Sequence, residues 1–224
     1  MKNKIVDYLD SLIPDPKCEL NYNKDYELLI ATMLSAQTTD KRVNEITSIL
    51  FTKYPSLNDL SNADINDLIE IVRPLGNYHK KASNIKDIAN SLVSVGYIPN
   101  NREFLESLNG VGRKTANVVL SNLFDEPVLA VDTHIERVSK RLGLAKPNDT
   151  VRVVEDKLTK YFKGYNLCRL HHQLLLFGRY HCKAINPDCD NCKLKSICKK
   201  DFIWSLLLCY SNFNSKCIYF ITII

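Results

Sequence analysis

Glycine is scarce, at 7 of 224 residues. With no Gly-X-Y period either, collagen-like and low-complexity architectures are excluded. No run reaches the roughly 20 apolar residues that a membrane-spanning helix needs. The longest runs are nine residues (202–210) and eight residues (217–224), both in a tail that breaks the pattern of the preceding chain. No membrane partner is expected. A secretory leader is missing too, because Met1-Lys2-Asn3-Lys4 opens into an amphipathic stretch and not an apolar core. Long Gly/Ser/Pro linkers and repeats of fixed period are absent. Eight cysteines are too few, over this length, for a disulfide-dense secreted scaffold.

What is present points to a folded chain in a reducing compartment. The hydrophobic fraction of 45% is too high for disorder. The length suits one large domain or two small ones. Apolar residues recur at helical spacing nearly throughout: Ile5, Leu9 and Leu12; Leu28, Leu29, Met33 and Leu34; Val43, Ile46, Ile49 and Leu50. Asp64 reads as an N-cap before Ile65–Val72, and Pro74-Leu75-Gly76 ends that helix. Further helices are expected over 80–95, 118–123, 135–142, 151–162 and 167–177. Only Val128-Leu129-Ala130-Val131 is strand-like, and it is short enough to be a buried connector. The fold class is therefore all-α.

The net charge of +5 conceals an asymmetry. Residues 1–136 carry 14 Lys and Arg against 19 Asp and Glu, whereas residues 137–200 carry 15 against 5. A basic segment beside an acidic one fits a surface that faces nucleic acid, or equally a solvated basic lobe.

Four of the eight cysteines fall within 17 residues: Cys182, Cys189, Cys192 and Cys198. In a reducing compartment such a group reads as metal ligands. Four thiolates suit a [4Fe–4S] cluster. Structural zinc also takes four cysteines, but zinc ribbons usually pair two C-x2-C knuckles, and here there is one, flanked by unequal gaps.

A second motif is Leu108-Asn109-Gly110-Val111-Gly112-Arg113-Lys114-Thr115-Ala116. A helix ending near Ser107, a tight two-glycine turn and a helix starting near Arg113 would form a helix–hairpin–helix over about 104–124. Glycines let a phosphate approach the backbone, and the amides of the next helix point at the anion. Gly110, Val111, Gly112 and Arg113 are the candidate DNA contacts, through the backbone and without base sequence. An ordinary helix–turn–helix corner has the same pattern. Lys114 falls in the first turn of that second helix, at the positive end of its dipole, which disfavours the charged form, and partial burial would push the same way. A neutral amine there is a nucleophile able to form a Schiff base at a sugar carbon, and the carboxylate of Asp132 could assist the proton transfers. Taken alone, Lys114 would be a solvated lysine and Asp132 the N-cap ahead of Thr133-His134.

LNGVGRKTANVVL, VDTHIERVSKRLGL, the Cys182–Cys198 spacing, Leu34–Asp40 and the 76–82 stretch together resemble the endonuclease III family, over about residues 5–200. The resemblance implies a bifunctional DNA glycosylase and abasic-site lyase of base excision repair that removes oxidised pyrimidines from double-stranded DNA. It implies a two-lobed helix–hairpin–helix glycosylase fold. A six-helix barrel would span 17–126, and an iron–sulfur lobe would combine 1–16 with 127–200. Residues 201–224 remain an apolar tail without assigned role. Carried onto this sequence, Lys114 is the nucleophile, Asp132 the essential carboxylate, and Cys182, Cys189, Cys192 and Cys198 ligate a [4Fe–4S] cluster. Gln37 fills the space left by the flipped nucleotide, since chemistry on a base requires taking it out of the stack. A monomer acting on the nucleoid in the cytoplasm is expected.

Three residues depart from the family pattern. Asn77 stands where relatives commonly place an apolar wedge; a polar residue wedges poorly between bases, so of the two candidate DNA contacts there, Asn77 and Tyr78, insertion would rely on Tyr78 or be weaker. Asn109 replaces the hairpin's usual proline. Asp188 joins Lys183 in a cysteine loop that is often more basic. Adenine-specific and thymine-mismatch relatives usually lack the lysine that this chain has as Lys114. A DNA-binding iron–sulfur sensor without catalysis would need neither Lys114 nor Asp132.

Overall fold

The computed structural model describes residues 1–199, and the apolar tail 201–224 lies outside the described residues. Among the described residues, eleven α-helices run in the order α1 (Lys2–Leu12), α2 (Asp25–Leu34), α3 (Asp40–Lys53), α4 (Leu57–Asn62), α5 (Ile65–Val72), α6 (Tyr78–Val95), α7 (Arg102–Ser107), α8 (Arg113–Phe124), α9 (Thr133–Arg141), α10 (Val151–Tyr161) and α11 (Leu167–Leu176). No β-strand occurs among the described residues, and no helix there is long and apolar enough to cross a membrane.

Polar side chains set most helix starts by accepting from the first-turn amides. Asp64 accepts from Asn66 and Asp67, Thr39 from Arg42, Thr150 from Val153, and Asn166 from Arg169. Ser56 and Asp59 form a reciprocal capping box that starts α4, a six-residue helix too short to show a helical period in the sequence.

Two cores form. One gathers residues of α2 to α8, with α2 at its centre: Leu28, Leu29, Ile30 and Leu34 are all fully buried, so this helix is apolar on every side. The other gathers α1, α9, α10 and α11 around Phe162, Leu158 and Leu174. The chain therefore leaves the second core after α1, builds the first, and returns. The strand-like 128–131 segment makes that return. It has no partner strand; it threads between the cores, with Val128 packing on the first and Leu129 and Val131 on the second. The Asn117 side chain donates to the Leu129 carbonyl at 2.9 Å, supplying a partner that no neighbouring strand provides.

Two backbone irregularities interrupt the helical pattern. A 3₁₀ turn over Arg73–Leu75 leads into Gly76 (φ 68°) and Asn77 (φ 46°), both left-handed, and α6 then begins at Tyr78. α11 continues into a π-helical turn over Phe177–His181. There Gly178 lies against α9 so closely that an added Cβ would meet His134 at 3.0 Å and Val138 at 3.1 Å. This turn carries Arg179 and Tyr180 back to the first core, where Arg179 pairs with Asp40 at 2.7 Å and with Glu19, and the Tyr180 hydroxyl donates to Glu19.

Candidate active site

The hairpin is built as its sequence requires. α7 ends at Ser107, the Val111 amide donates to the Leu108 carbonyl at 3.0 Å, and α8 starts at Arg113. Val111 is buried and anchors the turn, leaving Gly110 and Gly112 at the surface. Gly110 has φ 81°, and a Cβ there would stand 2.1 Å from Asn84 Nδ2. Asn84 is itself buried, against Met33, and cannot swing away. Gly110→Ala is therefore expected to cost about 1–3 kcal/mol from the clash, with strain at positive φ added. At this chain length that is a drop in Tm of several degrees, at about 2–4 °C per kcal/mol. A thermal melt, with duplex binding measured alongside, checks it.

Lys114 is the second residue of α8. Its side chain is exposed at the rim of the cleft, because the first turn of α8 faces outward at the end of the hairpin. Asp132 caps α9: its Oδ1 accepts from the His134 and Ile135 amides, each at 2.9 Å. The capping role and the site role thus coincide, since the helix that Asp132 starts is what fixes its carboxylate. Lys114, Asp132 and Gln37 line one cavity of about 180 Å³. That cavity opens into a groove of about 1080 Å³ through shared walls at Glu19, Gln37, Asp40 and Arg179. Gln37 itself is left-handed, at φ 57°.

Sequence reasoning missed the floor and one wall of this cavity. His171 and His172, both buried on α11, lie beneath Lys114 and Asp132. Burial pushes His171 down to about 3, with His172 and Lys114 adding to the effect, so the ring is neutral at ordinary pH. His172 Nε2 meets Asn122 Oδ1 at 2.9 Å, and burial lowers its pKa as well. The wall is Arg179. Burial alone would disfavour its charge, but Asp40 and Glu19 more than reverse this. Only the consecutive histidines 171–172 hint at the floor in the sequence. Nothing local marks Arg179, whose partners lie 139 and 160 positions away.

Other candidate residues stand apart from the cavity. Asn77 is exposed at the tip of the turn, while Tyr78 packs against the first core with the Arg73 guanidinium 5.2 Å from its ring. Arg113, a candidate phosphate contact, is engaged elsewhere: its guanidinium holds Glu155 of α10 in a two-pronged pair at 2.7 and 3.1 Å. The hairpin is thereby tied to the second core, and what Arg113 offers an anion is its backbone amide.

Cys182, Cys189, Cys192 and Cys198 line a separate cavity of about 260 Å³. The buried Arg141 pins the start of this loop, donating to the carbonyls of Lys183 (2.7 Å), Cys182 (3.2 Å) and Ala184 (3.2 Å) and to Cys182 Sγ (3.3 Å). Arg137 adds bonds to Gly178 O (2.6 Å) and Cys182 O (3.2 Å). Among the described residues, no three His, Cys, Asp or Glu side chains are placed to hold a single metal ion.

Comparison with known proteins agrees with this geometry. The family model described as HhH-GPD superfamily base excision DNA repair protein matches residues 30–163. The chain is 42% identical over 197 residues to the endonuclease III of Bacillus subtilis (strain 168), covering 87% of this chain and 90% of that protein. It is 40% identical over 188 residues to the endonuclease III of Escherichia coli (strain K12), covering 83% and 89%. Among solved structures, a trapped endonuclease III–DNA covalent intermediate is similar with a TM-score of 0.85 at 42% identity, covering 92% of this chain and 99% of that one. A thermostable thymine-DNA glycosylase shares the fold, with a TM-score of 0.79 at 20% identity over 88% of this chain and 94% of that one. A hairpin, a lysine and a carboxylate at one cleft, in a chain so closely matched along its length, place it in the endonuclease III family of the HhH-GPD superfamily.

Proposed function

We propose that the chain is a bifunctional DNA glycosylase and abasic-site lyase of base excision repair, acting on oxidised pyrimidines in double-stranded DNA. The observation that carries this reading is the single cavity that gathers Lys114, Asp132 and Gln37 beside the hairpin. The duplex runs along the larger groove. The cavity is a small fraction of that groove's volume and admits one extruded nucleotide. The amides at Gly110–Arg113 hold a phosphate. Gln37 and the Asn77–Tyr78 turn take up the space vacated in the stack.

Lys114 Nζ then attacks the sugar C1′ as the bond to the base breaks, and the base leaves with a proton. Asp132 stabilises positive charge developing on the sugar and assists the proton transfers. The C1′–O4′ bond then breaks, O4′ taking up a proton, and the opened sugar is held as a Schiff base; this acidifies C2′, and loss of that proton expels the 3′ phosphate, nicking the strand. Water releases Lys114.

The cysteine loop is read as the holder of a [4Fe–4S] cluster. Four thiols ringing a roomy cavity fit a multi-iron group better than a single zinc, which needs all four sulfurs about 2.3 Å away. When bound, the cluster supplies a cross-link of the loop to the second core. The barrel-like first lobe over 17–126, and a second lobe of 1–16 with 127–200, are the corresponding division of the chain. The second lobe carries the basic charge that faces DNA.

A nicking assay tests the reading. On a duplex with one oxidised pyrimidine, the enzyme is expected to release the base and cut that strand 3′ to it without added alkali. Base release with the strand intact would make the enzyme monofunctional, and no release would refute the substrate class.

A further inference from the structure

The ammonium of Lys81 sits where a cation is not expected. The residue is on the first turn of α6 and only 6% exposed. Buried cations are ordinarily paired with a carboxylate. Here the Nζ donates instead to three neutral acceptors: the Leu75 carbonyl at 2.9 Å, the Ala36 carbonyl at 3.0 Å and Thr38 Oγ1 at 3.2 Å. The Thr38 hydroxyl donates in turn to Leu75 O at 2.9 Å. Burial lowers the lysine's pKa, with no charged partner to oppose it.

These acceptors belong to two loops that are 37 or more positions apart in sequence. Ala36 and Thr38 flank Gln37, and Leu75 precedes Gly76 and Asn77. Gln37 and Asn77 are two of the four non-glycine residues with positive φ among the described residues. Such backbone persists only where its surroundings impose it. Here Lys81 saturates the carbonyls just before both strained positions. A lysine has three donors on one tetrahedral head, and all three point to these loops.

We propose that Lys81 is a positioning residue that ties the Gln37 loop to the Gly76–Asn77 turn, so that both enter the duplex as one unit when the nucleotide is extruded. The inference rests on the proposed reading that these two segments fill the vacated stack. Lys81 touches no reacting atom. Its loss should therefore weaken extrusion of an intact base far more than reaction at a site that has none.

The test compares the full-length protein with Lys81→Met, which keeps length and removes the donors, on two duplexes. One carries an oxidised pyrimidine and the other a preformed abasic site. Lys81→Met is expected to slow single-turnover base release by about tenfold or more, as loss of alignment does. Nicking at the abasic site should fall less than about threefold. A 2-aminopurine placed beside the lesion should show a matching loss of the fluorescence rise on binding. Thr38→Val, which removes only the shared hydroxyl, should give the same pattern at smaller size, and it carries the test if Lys81→Met does not fold. Equal losses on both duplexes, tracking a fall in Tm, would reduce Lys81 to a structural residue and overturn the proposal, as would wild-type rates on both. If the unmodified protein fails on the oxidised pyrimidine, the proposed function falls first, and the two failures are told apart.

Discussion

Asp132→Asn is expected to slow base release by about 10²–10⁴-fold while leaving the fold intact. The two halves of this result come from the two roles of one side chain. As an N-cap, Asp132 accepts from the His134 and Ile135 amides, and asparagine caps nearly as well as aspartate. Helix α9 should keep its start, and Tm should move little. What asparagine cannot supply is negative charge in the cavity that Lys114 enters. Asp132→Ala separates the roles from the other side, losing the same rate and also about 0.5–2 kcal/mol of stability through the lost cap. Single-turnover kinetics beside thermal melts of both variants check the pair. A rate for Asp132→Asn within a factor of two of the unmodified protein would remove the carboxylate from the chemistry.

The second large effect concerns the cysteine loop. Cys198→Ser is expected to yield protein without iron and sulfide, whereas the unmodified protein should be yellow-brown with about four of each per chain. The reason lies in how little else orders this loop. From residue 183 to 199 only Leu194 is buried, and the only helical element is one 3₁₀ turn, Lys195–Ile197. A segment with one apolar anchor cannot offset its own ordering entropy, so metal ligation must contribute. Arg141 holds the two ends of the loop: its guanidinium donates to residues 182–184, and its carbonyl accepts from the Lys199 amide at 2.7 Å and from Cys198 Sγ at 3.4 Å. Limited proteolysis should then cut Cys198→Ser within 183–199 and spare the first core, whose helices do not use the loop. Duplex affinity should fall with it. A colourless unmodified protein carrying a single zinc would contradict the cluster.

The sequence made the helices, the hairpin and the grouping of four cysteines legible, because each is written in local spacing. Asp64 and Asp132 could be read as caps from the helical residues just after them, and both cap. Helix α4 was not legible, since six residues carry no period and its capping box is the whole signal. The 128–131 segment read as strand-like but short enough for a buried connector, and a connector it is, packed on both cores. The Asn117 bond to the Leu129 carbonyl stands where a strand would have a neighbour's amide. The exposure of Lys114 could not be read, because it depends on how α8 is turned on α2, a tertiary matter. The partner of the Arg113 guanidinium could not be read either, because Glu155 lies 42 positions away. Long-range pairs of this kind, with Arg179 to Asp40 and Lys81 to Ala36, shape the site and leave no local trace.

Borohydride trapping measures most directly whether Lys114 is a covalent nucleophile, on which the whole mechanism depends. A Schiff base between Lys114 and the sugar should be reduced to a stable protein–DNA adduct when the enzyme meets a duplex carrying an oxidised pyrimidine or an abasic site. The adduct should form with the unmodified protein and vanish with Lys114→Ala. An adduct that persists in Lys114→Ala, or none with the unmodified protein, would contradict the mechanism.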